Sequence, residues 1–359
     1  MTDPALPTVD VIIDNYNYAR FLPDAIESAL AQTHPGTRVI VVDDGSTDES
    51  RAVIAGYGSR VTPVLKHNGG QASALNAGFA QSEGDLVIFL DADDTLRPAT
   101  ARSIAAAAAA DAAIAKFQYR LDVLDASGRR TGVVKPPDHL PLPRGDVAHQ
   151  ELVQPFDLTW MPTSGNAFPR WVLEQLLPMP ESEFARSADW YLQHLPPLFG
   201  PVASFEWVGG GYRVHDSNSY ETSGGRLDLN HVRQSVTYAA ATRRELLRIA
   251  DQLDLEHPRE ILSVADLANR LVSRRLAPSE HPIPSDRVPR IVLNGWRATA
   301  RRMDVAFAMK AMFAVWFLAV AIAPRRISTR LAEGFLFPER RLRLNRALGR
   351  LHRPHQAPR

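Results

Sequence analysis

Short apolar runs alternate with amphipathic stretches along the first hundred residues of the chain. Four of the runs are short and rich in β-branched residues, which predicts buried strands. These predicted strands are 9–13, 39–42, 62–65 and 86–90. Between them, apolar residues recur at helical spacing, which predicts helices at 21–30, 49–55 and 72–80. Such alternation is typical of βαβ units, so we predict an α/β fold with a mainly parallel, Rossmann-like sheet flanked by helices.

Polar loops follow each of the four predicted strands. These loops are 14–17, 43–48, 68–71 and 91–94. The carboxyl ends of parallel strands meet at one edge of the sheet, and ligands bind in the crevice outside that edge. Loops after strands are polar in any case, but this does not explain why carboxylates gather in them. We therefore predict a functional site at this edge.

Three carboxylates, Asp91, Asp93 and Asp94, follow the predicted strand 86–90, with only Ala92 between them. Like charges at the mouth of a buried strand repel one another unless a cation lies among them. Oxygen ligands of this kind suit Mg²⁺ or Mn²⁺, which share their other positions with phosphates and water. The motif alone leaves an alternative open, in which Asp93 or Asp94 is the N-cap of the next helix.

Residues 9–98 resemble the nucleotide-sugar half of a family 2 glycosyltransferase with the GT-A fold. The matching segments are Val11–Ile13 with Tyr16-Asn17, Val41–Asp48, Asn68–Gly70 with Ala74–Gly78, and Asp91–Asp94. Each segment is short, but all four occur in the order and spacing of the family. The sequence departs from the commoner pattern at Asp14, where proline is usual, and at Leu75, where arginine often stands.

The resemblance implies a site for a nucleoside diphosphate sugar and a transfer with inversion. The donor-binding residues that it implies are Asp14, Asn15, Tyr16, Asp44, Asn68, Gly70, Asn76, Asp91 and Asp93. Among them, Asp44 would accept a hydrogen bond from the base edge, and Tyr16 would pack on the base. The implied ligands of a Mg²⁺ or Mn²⁺ cofactor are Asp93, Asp94 and His215.

The second half of this domain, about 101–225, carries looser signals for the acceptor side. Asp189 stands where the family has its general base, although Ala188 replaces the usual glutamate; a helix N-cap is the alternative role. His215 follows three glycines and an arginine, which suggests a mobile, anion-facing loop over the diphosphate. The other predicted elements are a helix at 104–115, a strand at 117–124, an irregular loop over the acceptor site at 136–144 and a helix at 171–177.

Composition limits the other possibilities. The chain has 359 residues, enough for two or three structural units. It has no cysteine, which excludes disulfides and a thiol nucleophile, and its N-terminus shows no signal peptide, so we expect a cytoplasmic location. The predicted domains are a GT-A domain at 1–225 with its nucleotide half at about 9–100, a helical C-terminal extension at 226–300, and an apolar helix with an arginine-rich tail at 301–359.

The C-terminal region combines an apolar run with a basic tail. Residues 324–359 hold ten arginines and two glutamates, although the net charge of the whole chain is only +1. The apolar run 303–323 is marginal in length for a membrane span and contains Lys310; an interfacial helix with Trp316 at the surface is favoured over a spanning or a buried one. We therefore expect peripheral binding to an anionic membrane, on its inner face. Nucleic acid is not expected, because the tail has few interleaved aromatic residues.

The predicted reaction moves a sugar from a nucleoside diphosphate sugar to a hydroxyl of a glycan or lipid-linked acceptor, in surface polysaccharide synthesis. A nucleotidyltransferase is one alternative, but it would carry a glycine-rich, basic phosphate loop after the first strand, where this chain has residues 14–17. A catalytically inactive, membrane-associated adaptor is another alternative. The acidic residues and His215 are all retained, which favours an active enzyme.

Overall fold

The computed structural model describes residues 6–216 and 227–336. The chain forms two compact units. The sheet unit comprises residues 1–217 and 238–261, and the helical unit comprises residues 218–237 and 262–359. The chain therefore leaves the sheet unit, returns to it and leaves it again. Each unit has buried apolar residues that pack into a core of its own.

The strands of the sheet unit form one mixed sheet. Their bounds are β1 Val9–Asn15, β2 Thr37–Asp44, β3 Thr62–Lys66, β4 Leu86–Asp91, β5 Thr95–Leu96, β6 Lys116–Leu124, β7 Arg130–Lys135, β8 Asn166–Pro169 and β9 Val202–Arg213. Their order across the sheet is β3-β2-β1-β4-β8-β6-β9-β5, and β7 pairs with β6. The first four strands are mutually parallel, whereas β8 runs antiparallel to both β4 and β6.

Helices flank the sheet and make up most of the helical unit. Those of the sheet unit are α1 Leu22–Leu30, α2 Ser50–Gly56, α3 Gln71–Ala80, α4 Thr100–Ala110, α5 Ala148–Val153, α6 Arg170–Leu176, α7 Glu181–Phe184 and α8 Asp189–His194. The others are α9 Leu229–Gln252, whose residues are divided between the units, and α10 Val264–Leu276, α11 Val288–Arg301, α12 Phe307–Ile322 and α13 Arg325–Leu336. The helix predicted at 104–115 ends early, because Asp111 has an extended backbone with φ −148° and ψ 100°.

The parallel strands β1, β2 and β4 are buried on both faces of the sheet, whereas the edge strand β3 is largely exposed. Ile12 and Phe89 are register partners in β1 and β4, and both belong to the core on one face. The next pair, Ile13 and Leu90, belongs to the core on the other face. Strands buried on both faces have continuous apolar sequences, which explains why the predicted strands 9–13, 39–42 and 86–90 are confirmed. The predicted strand 62–65 is also confirmed, as the edge strand β3. β1 and β2 continue two residues beyond the predicted runs, so the polar residues there are fixed at strand ends.

Three consecutive glycines, Gly209 to Gly211, lie inside β9 and are buried. A Cβ atom at Gly209 would contact the Tyr119 ring, and one at Gly211 would contact the Leu124 side chain. The glycines therefore let β9 lie close to its neighbours in the sheet. The prediction of a mobile loop was wrong at these positions, because the chain leaves the strand only after Arg213.

The helical unit buries one side of α12. Phe317 is fully buried against α11, where a Cβ atom at Gly295 would lie 2.6 Å from the Phe317 ring. Trp316 is also buried: its Nε1 donates to the Leu331 carbonyl at 2.9 Å, and its ring stacks on Phe335. The expectation that Trp316 faces a membrane was therefore wrong. Within residues 6–216 and 227–336, no helix has the length and apolar character that a membrane crossing requires.

Candidate active site

Four carboxylates crowd the carboxyl ends of β1 and β4. Asp14 and Asp91 are register partners in these strands, and Asp93 and Asp94 follow β4 directly. Burial and the charge of Asp93 raise the pKa of Asp14 to about 7. Burial, then the charges of Asp14, Asp94 and Asp93, raise the pKa of Asp91 well above its usual range. Such mutual repulsion is the condition that a bound cation relieves.

A buried arginine connects the end of β9 to residues 91–94, which we call the acidic segment. The Arg213 backbone N–H donates to Asp94 Oδ1 at 2.9 Å, and its Nε donates to the Asp93 carbonyl at 2.8 Å. The same guanidinium pairs with Asp24 at 2.7 Å. Arg213 therefore holds the strand end in place. The sequence suggested that it lies in a mobile loop, which was wrong, because it is the last residue of β9. Its contacts also fix the direction in which the chain continues towards His215.

His215 lies against Asp93. Its Nε2 is 2.9 Å from Asp93 Oδ2, and its ring stacks on Phe21 with ring centres 4.5 Å apart. Tyr18 meets the same imidazole edge-on at 5.6 Å. The structure thus brings together the acidic segment and the histidine, which are separated by about 120 residues in sequence. Their roles as metal ligands stay a prediction.

The donor set at this edge has the chemistry that a divalent cation requires. Asp93 offers an oxygen and His215 a nitrogen next to each other, and Asp91 lies beside them. Asp94 Oδ1 is already engaged by the Arg213 N–H, so Asp94 has one carboxylate oxygen left. Among the residues that the structure describes, no three acidic or histidine side chains stand at metal-ligand geometry. Phosphate and water oxygens would therefore have to complete the coordination shell, as is common for Mg²⁺.

Asp189 is the first residue of α8, and its carboxylate is half-buried. Its Oδ1 accepts a hydrogen bond from the Trp190 N–H at 3.0 Å, and its Oδ2 accepts one from Gln193 Nε2 at 3.3 Å. Burial raises the pKa of Asp189 to about 6. The charge of Asp189 also contributes to the raised pKa of Asp91, so the two carboxylates lie within electrostatic range. The N-cap position of α8 belongs to Ala188, so Asp189 is not the helix cap in the strict sense.

Gln71, which the sequence reasoning missed, joins the two groups of carboxylates. Its Nε2 donates to Asp91 Oδ1 at 3.0 Å, and its Oε1 accepts from the Ala188 N–H at 3.2 Å. Burial raises the pKa of Asp14, and a hydrogen bond from the same Gln71 side chain opposes part of this rise. One amide therefore fixes the distance between the acidic segment and the residue that precedes Asp189. Its only signal in the sequence is its place after the turn at 68–70.

Lys135, at the end of β7, is a second residue that the sequence reasoning missed. Its Nζ lies 3.8 Å from the centre of the Tyr212 ring. Its positive charge lowers the pKa of both Asp94 and Asp189, against the larger effect of burial. Lys135 is therefore a cation near both the acidic segment and the candidate base.

Asp44 organises the loop between β3 and α3. Its carboxylate accepts hydrogen bonds from the backbone N–H groups of Gly69 (2.9 Å) and Gly70 (2.7 Å), and it pairs with Lys66. Asn68 Nδ2 donates to the Asp44 carbonyl at 3.0 Å. Asp44, Asn68 and Gly70, three of the residues that the resemblance assigned to donor binding, therefore belong to one connected turn. Recognition of the base by Asp44 stays a prediction.

Gly70 is expected to be irreplaceable in this turn. It has φ +86°, and a Cβ atom there would clash with the Ala185 carbonyl. Gly70→Ala should therefore lower the free energy of unfolding by about 2 kcal/mol, measured by urea denaturation. Gly58→Ala, with φ +56° and open space around it, tests the strain alone, and Gly56→Ala, with neither feature, is the neutral control. Equal stability of the Gly70→Ala and Gly56→Ala variants would refute the argument.

The remaining predicted donor residues have different surroundings. Asn15 is buried, and its Nδ2 donates to Asp43 Oδ1 at 3.2 Å, which ties β1 to β2. Tyr16 is 46% exposed, and its packing on the base stays a prediction. The Asn76 amide bonds to both backbone polar groups of Met179, at 2.9 and 3.0 Å. These contacts do not join Asn76 to the carboxylates, and its role in donor binding stays a prediction.

The fold is the GT-A fold of glycosyltransferases. Residues 10–155 match the family model described as Glycosyl transferase family 2. Residues 10–155 therefore form a domain of this family, as the resemblance in the sequence had indicated.

Relatives and solved structures agree with this assignment. An uncharacterized glycosyltransferase of Nostoc sp. is 34% identical over 216 residues, which are 59% of this chain and 66% of the relative. The succinoglycan biosynthesis protein ExoO of Rhizobium meliloti is 41% identical over 135 residues, 36% of this chain and 38% of ExoO. The chain therefore spans less than two thirds of these relatives.

Two solved structures have the same fold at low sequence identity. S. aureus TarS 1-349 in complex with UDP-GlcNAc aligns with a TM-score of 0.55 at 13% identity, over 92% of each chain. The mannosyltransferase PcManGT from Pyrobaculum calidifontis, in complex with GDP-Man and Mn²⁺, aligns with a TM-score of 0.50 at 18% identity, over 94% of this chain and 87% of PcManGT. Both confirm the GT-A fold with a mixed sheet, flanking helices and a helical C-terminal region.

Proposed function

We propose that the chain transfers a sugar from a nucleoside diphosphate sugar to a hydroxyl group of a glycan or lipid-linked acceptor, with inversion at the anomeric carbon. The observation that carries this proposal is the convergence of the acidic segment, His215 and Asp189 at one edge of the sheet. Two proteins of the same fold, TarS and PcManGT, were solved with UDP-GlcNAc and GDP-Man, which supports a nucleotide sugar as the donor.

A divalent cation, Mg²⁺ or Mn²⁺, fits the acidic segment. When bound, it would neutralise the negative charge that develops on the departing diphosphate. Asp93 and His215 would hold it, with Asp91 beside them and one oxygen of Asp94 still available. The crowding that raises the pKa of Asp14 and Asp91 supports this assignment, and PcManGT was solved with Mn²⁺.

Asp189 is proposed as the general base. The acceptor hydroxyl loses its proton to the Asp189 carboxylate as its oxygen attacks C1 of the sugar on the face opposite the diphosphate. One carboxylate is enough for a single displacement, and a single displacement inverts the anomeric configuration. The hydrogen bonds from Trp190 and Gln193 hold the carboxylate in position, while burial raises its pKa to about 6 and makes it a better proton acceptor.

The acceptor and its location are proposed from the relatives. ExoO is named as a succinoglycan biosynthesis protein, which supports a polysaccharide or its lipid-linked precursor as the acceptor. Lipid-linked acceptors lie at a membrane, so we place the protein on the inner face of the cell membrane as a peripheral enzyme. The predicted arginine-rich tail lies mostly outside the described residues, in 337–359.

The pH dependence of turnover should report on Lys135. Asp189 must be ionised to act as base, so kcat/KM should rise with pH through about 6 and then level off. Lys135 favours the ionised form, so Lys135→Met should raise the pKa of Asp189 and move this rise to higher pH. Lys135→Arg keeps the charge and should keep the wild-type profile. Identical profiles for the Met and Arg variants would show that Lys135 does not act on the base.

A panel of nucleoside diphosphate sugars tests the proposed reaction. The protein is incubated with each donor and Mn²⁺, and release of the nucleoside diphosphate is measured with and without simple glycan acceptors. We expect release from one donor or a few, and NMR of the product should show the inverted anomer. Release from none of the donors, or a product with retained configuration, would contradict the proposal.

A further inference from the structure

One side of α12 is exposed and entirely apolar. Its exposed residues recur every three or four positions, so they form a single stripe along the helix. They are Phe307, Ala308, Ala311, Val315, Leu318 and Ile322, and the four large ones are 85%, 67%, 45% and 74% exposed. Single exposed apolar side chains are ordinary, but a continuous stripe along a whole helix marks an interaction surface.

The stripe cannot turn inward, because the opposite side of α12 is fixed in the core. Phe317 and Val320 are fully buried. The Phe317 ring packs against Gly295 of α11, which has no side chain and so leaves room for it. Trp296 of α11 lies next to the stripe: it is 40% exposed, and its Nε1 donates to the Ala314 carbonyl at 3.0 Å. The exposed surface therefore continues from α12 onto α11.

Basic residues flank the stripe at both ends. Arg297 and Arg301 are exposed on α11, whose last turn meets the start of α12 through a hydrogen bond from Lys310 Nζ to the Ala300 carbonyl at 3.1 Å. At the other end, two residues separate α12 from α13, which exposes three further arginines. These are Arg325, Arg326 and Arg330. Asp304 is an exposed acidic residue just before the start of α12, and its ion pair with Arg302 neutralises its charge.

We propose that this surface, the α12 stripe with its flanking arginines, binds the face of an anionic lipid bilayer with α12 lying parallel to the membrane. The apolar side chains would enter the boundary of the acyl chains while the guanidinium groups pair with lipid phosphates. α12 has 16 residues, about 24 Å of helix, which is shorter than a hydrocarbon core of roughly 30 Å. The inference stands on the helical unit alone and does not depend on the proposed sugar transfer.

Charge favours a bilayer over a second copy of the chain. A two-fold dimer through the stripe would place the same surface on both partners and bring arginines of one copy against arginines of the other. An anionic bilayer instead offers negative charge around the whole stripe. Residues 337–359, which follow α13 directly, add seven arginines and one glutamate to the same end of the chain.

Sedimentation of the full chain with vesicles tests the proposal. Vesicles of phosphatidylcholine with phosphatidylglycerol should bind the protein at low salt, and vesicles of phosphatidylcholine alone should bind it much less. Leu318→Glu/Ile322→Glu should weaken binding by roughly 10-fold or more, and Arg325→Gln/Arg326→Gln should do so by a similar factor. The matched controls are Leu253→Glu and Arg102→Gln, exposed positions of the sheet unit, and both should bind like the wild type.

The melting temperature of each variant shows whether a loss of vesicle binding comes from a loss of folded protein. If the Glu pair lowers the melting temperature, Leu318→Ser/Ile322→Ser replaces it, since serine removes apolar area without adding charge. Binding of the stripe variants equal to that of the controls would overturn the proposal. So would a concentration-dependent dimer that the stripe variants lose, because the surface would then join two copies of the chain.

Discussion

Asp189→Asn should lower turnover by at least ~10²-fold while leaving donor binding unchanged. Asparagine has nearly the same shape as aspartate, and its Oδ1 can still accept the hydrogen bond from the Trp190 N–H. Its Nδ2 can donate to Gln193 once the Gln193 amide turns over, but the side chain cannot accept the proton of the acceptor hydroxyl. The loss should therefore appear in kcat and not in the affinity for the nucleotide. Steady-state kinetics with saturating donor, together with calorimetry of donor binding, separates the two quantities.

Asp111→Asn is the matched control, since it makes the same chemical change at an exposed residue after α4. It should leave both turnover and binding at wild-type values. Near-normal turnover of Asp189→Asn would show that Asp189 is not the general base and has only a structural role at the start of α8. Loss of donor binding in that variant would place Asp189 in the donor site instead.

A divalent cation and a nucleoside diphosphate together should stabilise the folded protein against thermal unfolding. Asp93→Asn should abolish most of this effect. In the wild type, adding Mn²⁺ and nucleotide at about 100 times their dissociation constants should stabilise the fold by ~2.7 kcal/mol, seen as a rise of the melting temperature. The variant keeps a polar atom opposite His215 but loses the charge that attracts the cation. We expect its melting temperature to rise by less than half as much.

His215→Ala and Asp111→Asn complete the comparison. The first should reduce the response to Mn²⁺ with nucleotide, and the second should not change it. An undiminished response in Asp93→Asn would move the cation site away from this residue. Asp94 and Asp91 would then be the residues to test in the same way.

The parallel half of the fold could be predicted from the sequence because its determinants are local. The three inner strands there, β1, β2 and β4, are short runs buried on both faces, and the helices between the strands carry apolar residues at helical spacing. The order of β8, β6 and β9 depends on pairing between distant segments. β9 carries Gly209 to Gly211, which resemble a loop in sequence and are required in the structure by the close approach of Tyr119 and Leu124.

The candidate site was also predictable only in part, because some of its residues are placed by contacts between segments that are distant in sequence. Asp14, Asp91 and Asp93 lie at strand ends, and the rule for parallel sheets gathers them without further information. Gln71, Lys135 and the buried Arg213 act through contacts to residues distant in sequence, and their local sequence does not mark them. The division of α9 between two units likewise depends on packing that no segment of the sequence shows by itself.

Calorimetric titration of UDP and GDP into the wild-type protein, once with Mn²⁺ and once with EDTA, tests the central claim most directly. The claim is that the acidic segment and His215 hold a divalent cation that the donor diphosphate shares. The account predicts that one of these nucleotides binds with Mn²⁺ and that its affinity falls by at least ~10-fold in EDTA. Equal affinity with and without the metal would contradict it.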